Sequence, residues 1–214
     1  MLYAICSTFV NGQLGFKRIF LVGHDFGGAV AYAYAVDHPE DVRRFAFLDY
    51  VLSGFGFEEA MIPRRDGKNL WVAALHVVRD IPEVLVAGKE RFYLSQIFRG
   101  QFAYNPYAIS EADIDEYTSR YCAPGGLRGL FEYYRATWEN ADQNKENAKR
   151  KLTMPMLALE GECSLGENVM LSMKTVAKDM RGGVVERCGH WIPDERPDYL
   201  TQQLLAFFGE DQSS

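Results

Sequence analysis

Apolar positions follow two rhythms along this chain. Ile19, Phe20, Leu21 and Val22 form a short continuous apolar run, and an Ala-rich stretch with helical spacing follows Gly27-Gly28. This pattern predicts a buried strand, a tight turn and then a helix from about Gly27 to Asp37. His38-Pro39 ends that helix, because proline disfavours helical backbone in the residue before it, and His38 is expected at a solvent-facing helix end. Arg43–Leu48 reads as a second buried strand that delivers Asp49 at its C-terminal end. Beyond Leu52 the strand signal disappears. After an aromatic loop at Phe55 and Phe57, helices are predicted over Trp71–Val78, Pro82–Phe98, Ser110–Cys122 and Leu127–Lys149, the third opened by Ser110 with Glu111 and Asp113 in its first turn. Thr153–Gly161 is the third predicted strand and Asn168–Met180 a helix. Gly182-Gly183 is expected to turn into a fourth strand, Val184–Cys188. Pro197–Phe208 closes the chain as a helix with Tyr199, Leu200, Leu204, Leu205 and Phe208 at core spacing. Met1–Leu14 reads as the last turns of a helix ending before Gly15.

Strands that alternate with helices predict an α/β fold: a parallel sheet of about four strands flanked by helices, with a helical cap inserted after the second strand. The expected organisation is an N-terminal part of the core at 1–54, a cap at 55–151 and a C-terminal part of the core at 152–214. In open α/β sheets, ligands and reactive groups gather at the carboxyl ends of the strands, which places Asp25 and Asp49 on one rim.

Composition narrows the function. A chain of 214 residues that is 48% hydrophobic and 14% aromatic can bury one sizeable core. The formal net charge of -6 offers no basic surface for phosphate neutralisation, so nucleic acid is not an expected partner and a small lipophilic molecule is. Cys6, Cys122, Cys163 and Cys188 show neither C-x-x-C pairing nor metal-ligand spacing, which reads as free thiols in a reducing compartment with no structural metal. No stretch reaches the ~18 apolar residues of a spanning helix, and Met1–Val10 lacks a basic leader and cleavage site. The expectation is a cytoplasmic protein without membrane contact.

The chemistry is concentrated in Gly23-His24-Asp25-Phe26-Gly27-Gly28. Glycines two residues before and after Asp25 have the spacing of a nucleophile elbow, in which strand and helix pass close to a strained nucleophile. A carboxylate is ionised at neutral pH, so it can attack an electrophilic carbon without a base and form an ester, which is chemistry for alkyl transfer. Far along the chain, Cys188-Gly189-His190-Trp191-Ile192-Pro193 follows the last strand signal. Together these stretches resemble the α/β-hydrolase superfamily, in its epoxide hydrolase and haloalkane or haloacid dehalogenase branch, whose elbow reads HDxGG and whose last loop reads GHW.

The resemblance implies a hydrolase of epoxide hydrolase type that needs no cofactor. Asp25 would be the nucleophile and His190 the base that activates water on the ester, held by a second carboxylate. Relatives often carry that acid three residues beyond the glycine of the third strand, where this chain has Ser164. Asp49, in the family's other location, is preferred over Glu162. Phe131-Glu132-Tyr133-Tyr134-Arg135 resembles the lid segment that protonates the opening epoxide, with Tyr134 first and Tyr133 second choice. Trp71 begins a stretch that resembles the family's Trp-His, but Val72 replaces the histidine; Trp71, His76, Tyr133 and Trp191 are the expected substrate contacts. Phe26 would give one backbone oxyanion donor, while the HGxP loop that normally gives the other occurs nowhere in this sequence. Phe26 also stands where fluoroacetate dehalogenases carry arginine and many haloalkane dehalogenases tryptophan, so dehalogenation is the runner-up. With the strands that precede the elbow in this branch missing, a truncated and weakly active or inactive remnant is a further reading, and the first strand becomes an edge through which a homo-oligomer could form.

Overall fold

The computed structural model describes residues 15, 17–63, 65, 70–165 and 167–209. The predicted N-terminal helix and Cys6 lie outside them. The chain runs β1 (Ile19–His24), α1 (Phe26–Asp37), a short 3-10 turn, β2 (Val42–Leu48), then seven helices. These are α2 (Phe57–Ala60), α3 (Trp71–His76), α4 (Ile81–Val86), α5 (Glu90–Arg99), α6 (Glu111–Tyr121), α7 (Gly126–Arg135) and α8 (Thr137–Asn147). β3 (Met156–Gly161), α9 (Asn168–Val176), β4 (Met180–Val185), α10 (Ile192–Glu195) and α11 (Pro197–Gly209) follow.

The strands pair in the order β1-β2-β3-β4, every neighbour parallel. β2 and β3 are the central pair and are buried on both faces, which is why they read as apolar runs and not as alternations. Phe45, Phe47, Met156 and Ala158 face α1 and α9 on one side, against Tyr32, Ala35, Val169 and Met173. Ala46, Leu48, Leu157 and Leu159 face Leu200 and Phe207 of α11 on the other.

Several expectations change. β1 is not buried along its length: Phe20 and Val22 are 41% and 44% exposed, because they sit on the outer face of a strand with one neighbour among the described residues. Phe20 finds partial cover from the ring of Phe208, stacked at 4.7 Å. Gly182 and Gly183 lie inside β4, not before it, and the helix expected to reach Met180 stops at Val176. A Cβ on Gly182 would stand 1.7 Å from the Ala158 carbonyl oxygen, so the close approach of β4 to β3 requires glycine there. β3 begins at Met156, after Pro155. The predicted 82–98 helix is two, broken where Gly88 takes φ +78, and the predicted 127–149 helix breaks at Ala136. In α11 the buried residues are Leu200, as expected, and Phe207, while Leu205 is 70% exposed. His38 is half-buried, its ring 5.1 Å from that of Tyr34. The Ser110 cap forms as expected, with Ser110 Oγ accepting from the Asp113 amide at 3.2 Å and the Asp113 carboxylate from the Ser110 amide at 3.0 Å.

Cys122, Cys163 and Cys188 are free thiols. Among the described residues no helix is long and apolar enough to cross a membrane.

Candidate active site

Asp25 follows the last residue of β1 with φ 53 and ψ −132, a conformation that non-glycine residues avoid. Holding it costs on the order of 1–3 kcal/mol. The Asp25 amide donates to the Leu48 carbonyl at 3.1 Å, and the Asp25 carbonyl accepts from the Gly28 amide at 2.7 Å. The side chain caps no helix amide in the manner of an ordinary N-cap residue. Gly23 is forced by contact, since a Cβ there would lie 2.5 Å from the Gly27 carbonyl oxygen. Behind the elbow it is Gly28 that permits tight packing, since a Cβ there would lie 3.0 Å from the Phe47 ring, whereas a side chain on Gly27 would meet open space.

Asp49, one residue past β2, also has positive φ, 45°, and is fully buried. Its Oδ1 accepts from the Gly161 amide at 2.7 Å. Its Oδ2 accepts twice, from Ser164 Oγ at 2.6 Å and from His190 Nδ1 at 2.6 Å. The carboxylate thereby sets the tautomer: Nδ1 carries a proton and Nε2 faces Asp25 Oδ2, 3.6 Å away. The His190 amide is held in turn by the Phe102 carbonyl at 2.6 Å. Glu162, the other candidate acid, is exposed and accepts from the Arg187 amide at 2.8 Å, so it plays no part in holding the imidazole.

Electrostatics follow from this packing. Burial alone would strip the proton from His190, but the flanking Asp25 and Asp49 carboxylates outweigh it and push its pKa up to about 10. Burial would raise Asp25, but the bond and charge of His190, with the Phe26 amide, hold it below the usual carboxylate range. His24 donates from Nε2 to the His190 carbonyl at 2.8 Å, and burial together with the His190 charge lowers its pKa. Among the described residues, no group of three or more His, Cys, Asp or Glu side chains could hold a metal ion.

Asp25 and His190 open onto a partly open cavity whose wall is mostly apolar: Phe26, Phe57, Val72, Ile97, Phe102 and Trp191 among others. Its oxygen-bearing neighbours among the described residues are Tyr50, Tyr134 and Ser164, and no described lysine or arginine lines it. Tyr134 packs edge-on to Phe26 with ring centroids 4.8 Å apart, and burial holds its phenol well above the ordinary range. Three expected substrate contacts are corrected. Trp71 is 43% exposed and outside the cavity wall, because α3 turns Val72 and Ala73 inward. His76 is buried behind Tyr134 with its ring 4.4 Å away; it contacts the Tyr93 hydroxyl, and burial drops its pKa to about 3. Tyr133 packs on Phe26 at 5.4 Å without lining the cavity. Tyr50, Ile97, Phe102, Ser164 and Leu165 were not expected there; only Ser164 carried a signal, since it occupies the position at which relatives place an acid.

A parallel sheet with an acid elbow at one strand end and a histidine loop after the last strand defines an α/β hydrolase. A family model described as alpha/beta hydrolase fold matches residues 8–72. The soluble epoxide hydrolase of Corynebacterium sp. (strain C12) is 30% identical over 204 residues, which cover 92% of this chain and 68% of that protein. A fluoroacetate dehalogenase of Burkholderia sp. is 28% identical, over 94% of this chain and 66% of its own length. The chain spans 41% of the bifunctional epoxide hydrolase 2 of Sus scrofa. Among solved structures, Cfl2 from Burkholderia cenocepacia superposes with a TM-score of 0.90 at 36% identity, over 96% of this chain and 70% of that one. The epoxide hydrolase CorEH superposes at 0.82 with 28% identity, over 97% and 73%. The chain therefore belongs to the α/β-hydrolase family, in the branch that holds epoxide hydrolases and dehalogenases.

Proposed function

We propose that this protein hydrolyses epoxides of small lipophilic molecules through an ester on Asp25. One observation carries the reading: a carboxylate on a strained elbow stands 3.6 Å from His190 Nε2, which Asp49 orients from behind, at the wall of a mostly apolar cavity with no cationic side chain among its described lining residues. Asp25 Oδ attacks an epoxide carbon; the carbon–oxygen bond breaks, and the leaving oxygen takes the Tyr134 phenol proton. Burial opposes a free phenolate, so this proton moves as the oxygen departs and not before. Esterification removes the Asp25 charge, and His190, with one of its two carboxylate neighbours neutralised, releases its proton, which restores the Tyr134 phenol through solvent.

Neutral His190 then takes a proton from water as the water oxygen bonds to the ester carbonyl carbon. The Phe26 amide, already directed at the Asp25 carboxylate, faces the oxyanion that results. Collapse expels the diol, whose alkoxide takes the carboxyl proton, and the ionised Asp25 and protonated His190 are regenerated. The net change is epoxide plus water to diol. Similarity to a fluoroacetate dehalogenase supports a second reading, in which Asp25 displaces halide. The cavity argues for uncharged substrates in that case too, since no basic side chain among the described residues lines it.

The test is to incubate the His190→Gln variant with styrene oxide and weigh the peptide that contains Asp25. The expected result is a stable adduct of substrate mass on Asp25, and an unmodified peptide would overturn the ester mechanism. Running 1-bromobutane and bromoacetate alongside separates the two readings by halide release.

A further inference from the structure

We propose that Ser164 is a positioning residue of the ester-hydrolysis step: its hydroxyl occupies the same oxygen of Asp49 that orients His190, and so sets how firmly that carboxylate holds the imidazole. The inference rests on the reaction proposed above and concerns only its second half.

Both contacts on Asp49 Oδ2 measure 2.6 Å, one from Ser164 Oγ and one from His190 Nδ1. A hydroxyl has a single hydrogen, and a carboxylate oxygen can only accept it, so this is a charge-assisted bond. Density given to Ser164 is density withdrawn from His190. The Gly161 amide on Oδ1, at 2.7 Å, completes the set, and the carboxylate is pinned at both oxygens. The serine is itself fixed by backbone. Its amide donates to the Gly161 carbonyl at 3.1 Å, the neighbouring Cys163 amide to the Cys188 carbonyl at 2.9 Å, and the Glu162 amide to the Val185 carbonyl at 3.1 Å. The loop that carries Ser164 is thus stitched to the segment that carries His190, and the hydroxyl reaches Asp49 from the cavity wall.

Removing the hydroxyl leaves Asp49 Oδ2 with one donor. The carboxylate binds the imidazolium more tightly and loses one anchor, so less of His190 is neutral and free to take a proton from water at pH 7, while Asp25 keeps its own geometry. The other charged and titratable groups around this cluster, Asp25 and His24 beside His190 and Glu160 and Cys188 around Asp49, are unchanged by the substitution.

The experiment is rapid-quench kinetics of Ser164→Ala and Ser164→Thr with styrene oxide, which resolves ester formation from ester hydrolysis, together with an NMR titration of His190 in the ligand-free proteins. Ser164→Ala should slow ester hydrolysis about tenfold at pH 7, with ester formation changed less than twofold and ester accumulating. The pH at which hydrolysis becomes fast should rise, the His190 titration should rise with it, and Ser164→Thr should restore both. Equal loss in the two steps, or unchanged hydrolysis, would overturn the proposal. If wild-type and His190→Gln protein form no ester at all, the reaction itself is wrong; the NMR titration then decides alone, and a His190 titration that is the same in Ser164→Ala and wild type sinks the role of Ser164.

Discussion

Asp25→Asn isolates the charge that governs His190. The substitution keeps the shape of the side chain, and asparagine tolerates the positive φ of 53° better than other uncharged residues do. At 3.6 Å, one unit charge acting on another through an effective dielectric near 20 is worth about 5 kcal/mol, or roughly three pKa units. The Asp25 side chain keeps 36% of its surface open, and water in the cavity screens it, so about two units is the reasoned expectation. In the wild type His190 should stay protonated through neutrality and titrate near pH 10, and in Asp25→Asn it should titrate near pH 8. Nitrogen-15 NMR of the imidazoles is a practical assay, because the chain has only four histidines and His76 stays neutral down to about pH 3. Stability should follow the same charge. A histidine raised above its ordinary 6.5 stabilises the fold fully below that pH and loses the contribution as pH rises toward 10; the Asp25→Asn protein should therefore show a shallower loss of stability between those limits. Asp25, held below its ordinary 3.8, contributes above that value and loses its share as pH falls further, so the pair is at full strength between about pH 4 and 6.5. A wild-type His190 that titrates near 6.5, or a difference of less than half a unit between the two proteins, would refute the account.

Tyr134→Phe should lower the rate of ester formation by about 10² to 10³ while leaving ester hydrolysis within a few fold, read by rapid quench; equal effects on both steps would remove the phenol from the ring-opening step. Glu160 is buried between β3 and α9, where Oε2 accepts from the Val169 and Met170 amides and Oε1 has no partner. Burial lifts its pKa to about 7, so ionisation costs stability as pH rises from 4.5 to 7, and Glu160→Gln should gain about 3 kcal/mol at pH 8 and almost nothing at pH 4 by denaturant unfolding. Gly182→Ala should lower stability by about 1–3 kcal/mol or more, measured as a fall in melting temperature, because its Cβ meets the Ala158 carbonyl at 1.7 Å.

What was legible in the chain is what a local pattern can encode. An apolar run followed by Gly-x-Asp-x-Gly-Gly specifies a strand, a strained turn and a helix within ten or so neighbouring positions, and that unit stands as expected. Asp49 was legible because a strand end is a local event and the rim of a parallel sheet is common to all its strands. The helical block was legible in kind but not in its breaks. Gly88 interrupts one segment by taking φ +78, which only its observed backbone reveals, and Ala136 interrupts another although alanine favours helix. The cavity wall was the least readable part. Whether Val72 or Trp71 turns inward depends on how α3 rotates against α7, and helical spacing alone gives both residues equal claim. Gly182 failed for a related reason: a glycine pair reads as a turn until a neighbouring strand is seen to pass within contact distance of its Cα.

One structural device ties these observations together. Asp25 and Asp49 each lie one residue beyond a strand and are joined there to a residue near the end of the next strand. The Asp25 amide donates to Leu48 of β2, at 3.1 Å, and the Asp49 amide donates to Leu159 of β3, at 2.8 Å. The Glu162 amide continues the staircase to Val185 of β4 at 3.1 Å, and the Cys163 amide reaches Cys188 at 2.9 Å, two residues before His190. Parallel register, with His24 opposite Leu48, Leu48 opposite Leu159 and Gly161 opposite Val185, thus sets the placement of Asp25, Asp49 and the segment that carries Ser164 beside the His190 loop. Asp25 and Asp49 both leave their strands with positive φ, and aspartate bears that conformation at lower cost than bulkier side chains. A slip of one residue in any pair would turn the side chain to the opposite face and separate Asp25 from His190. Activity should therefore fail together with sheet register and not after it.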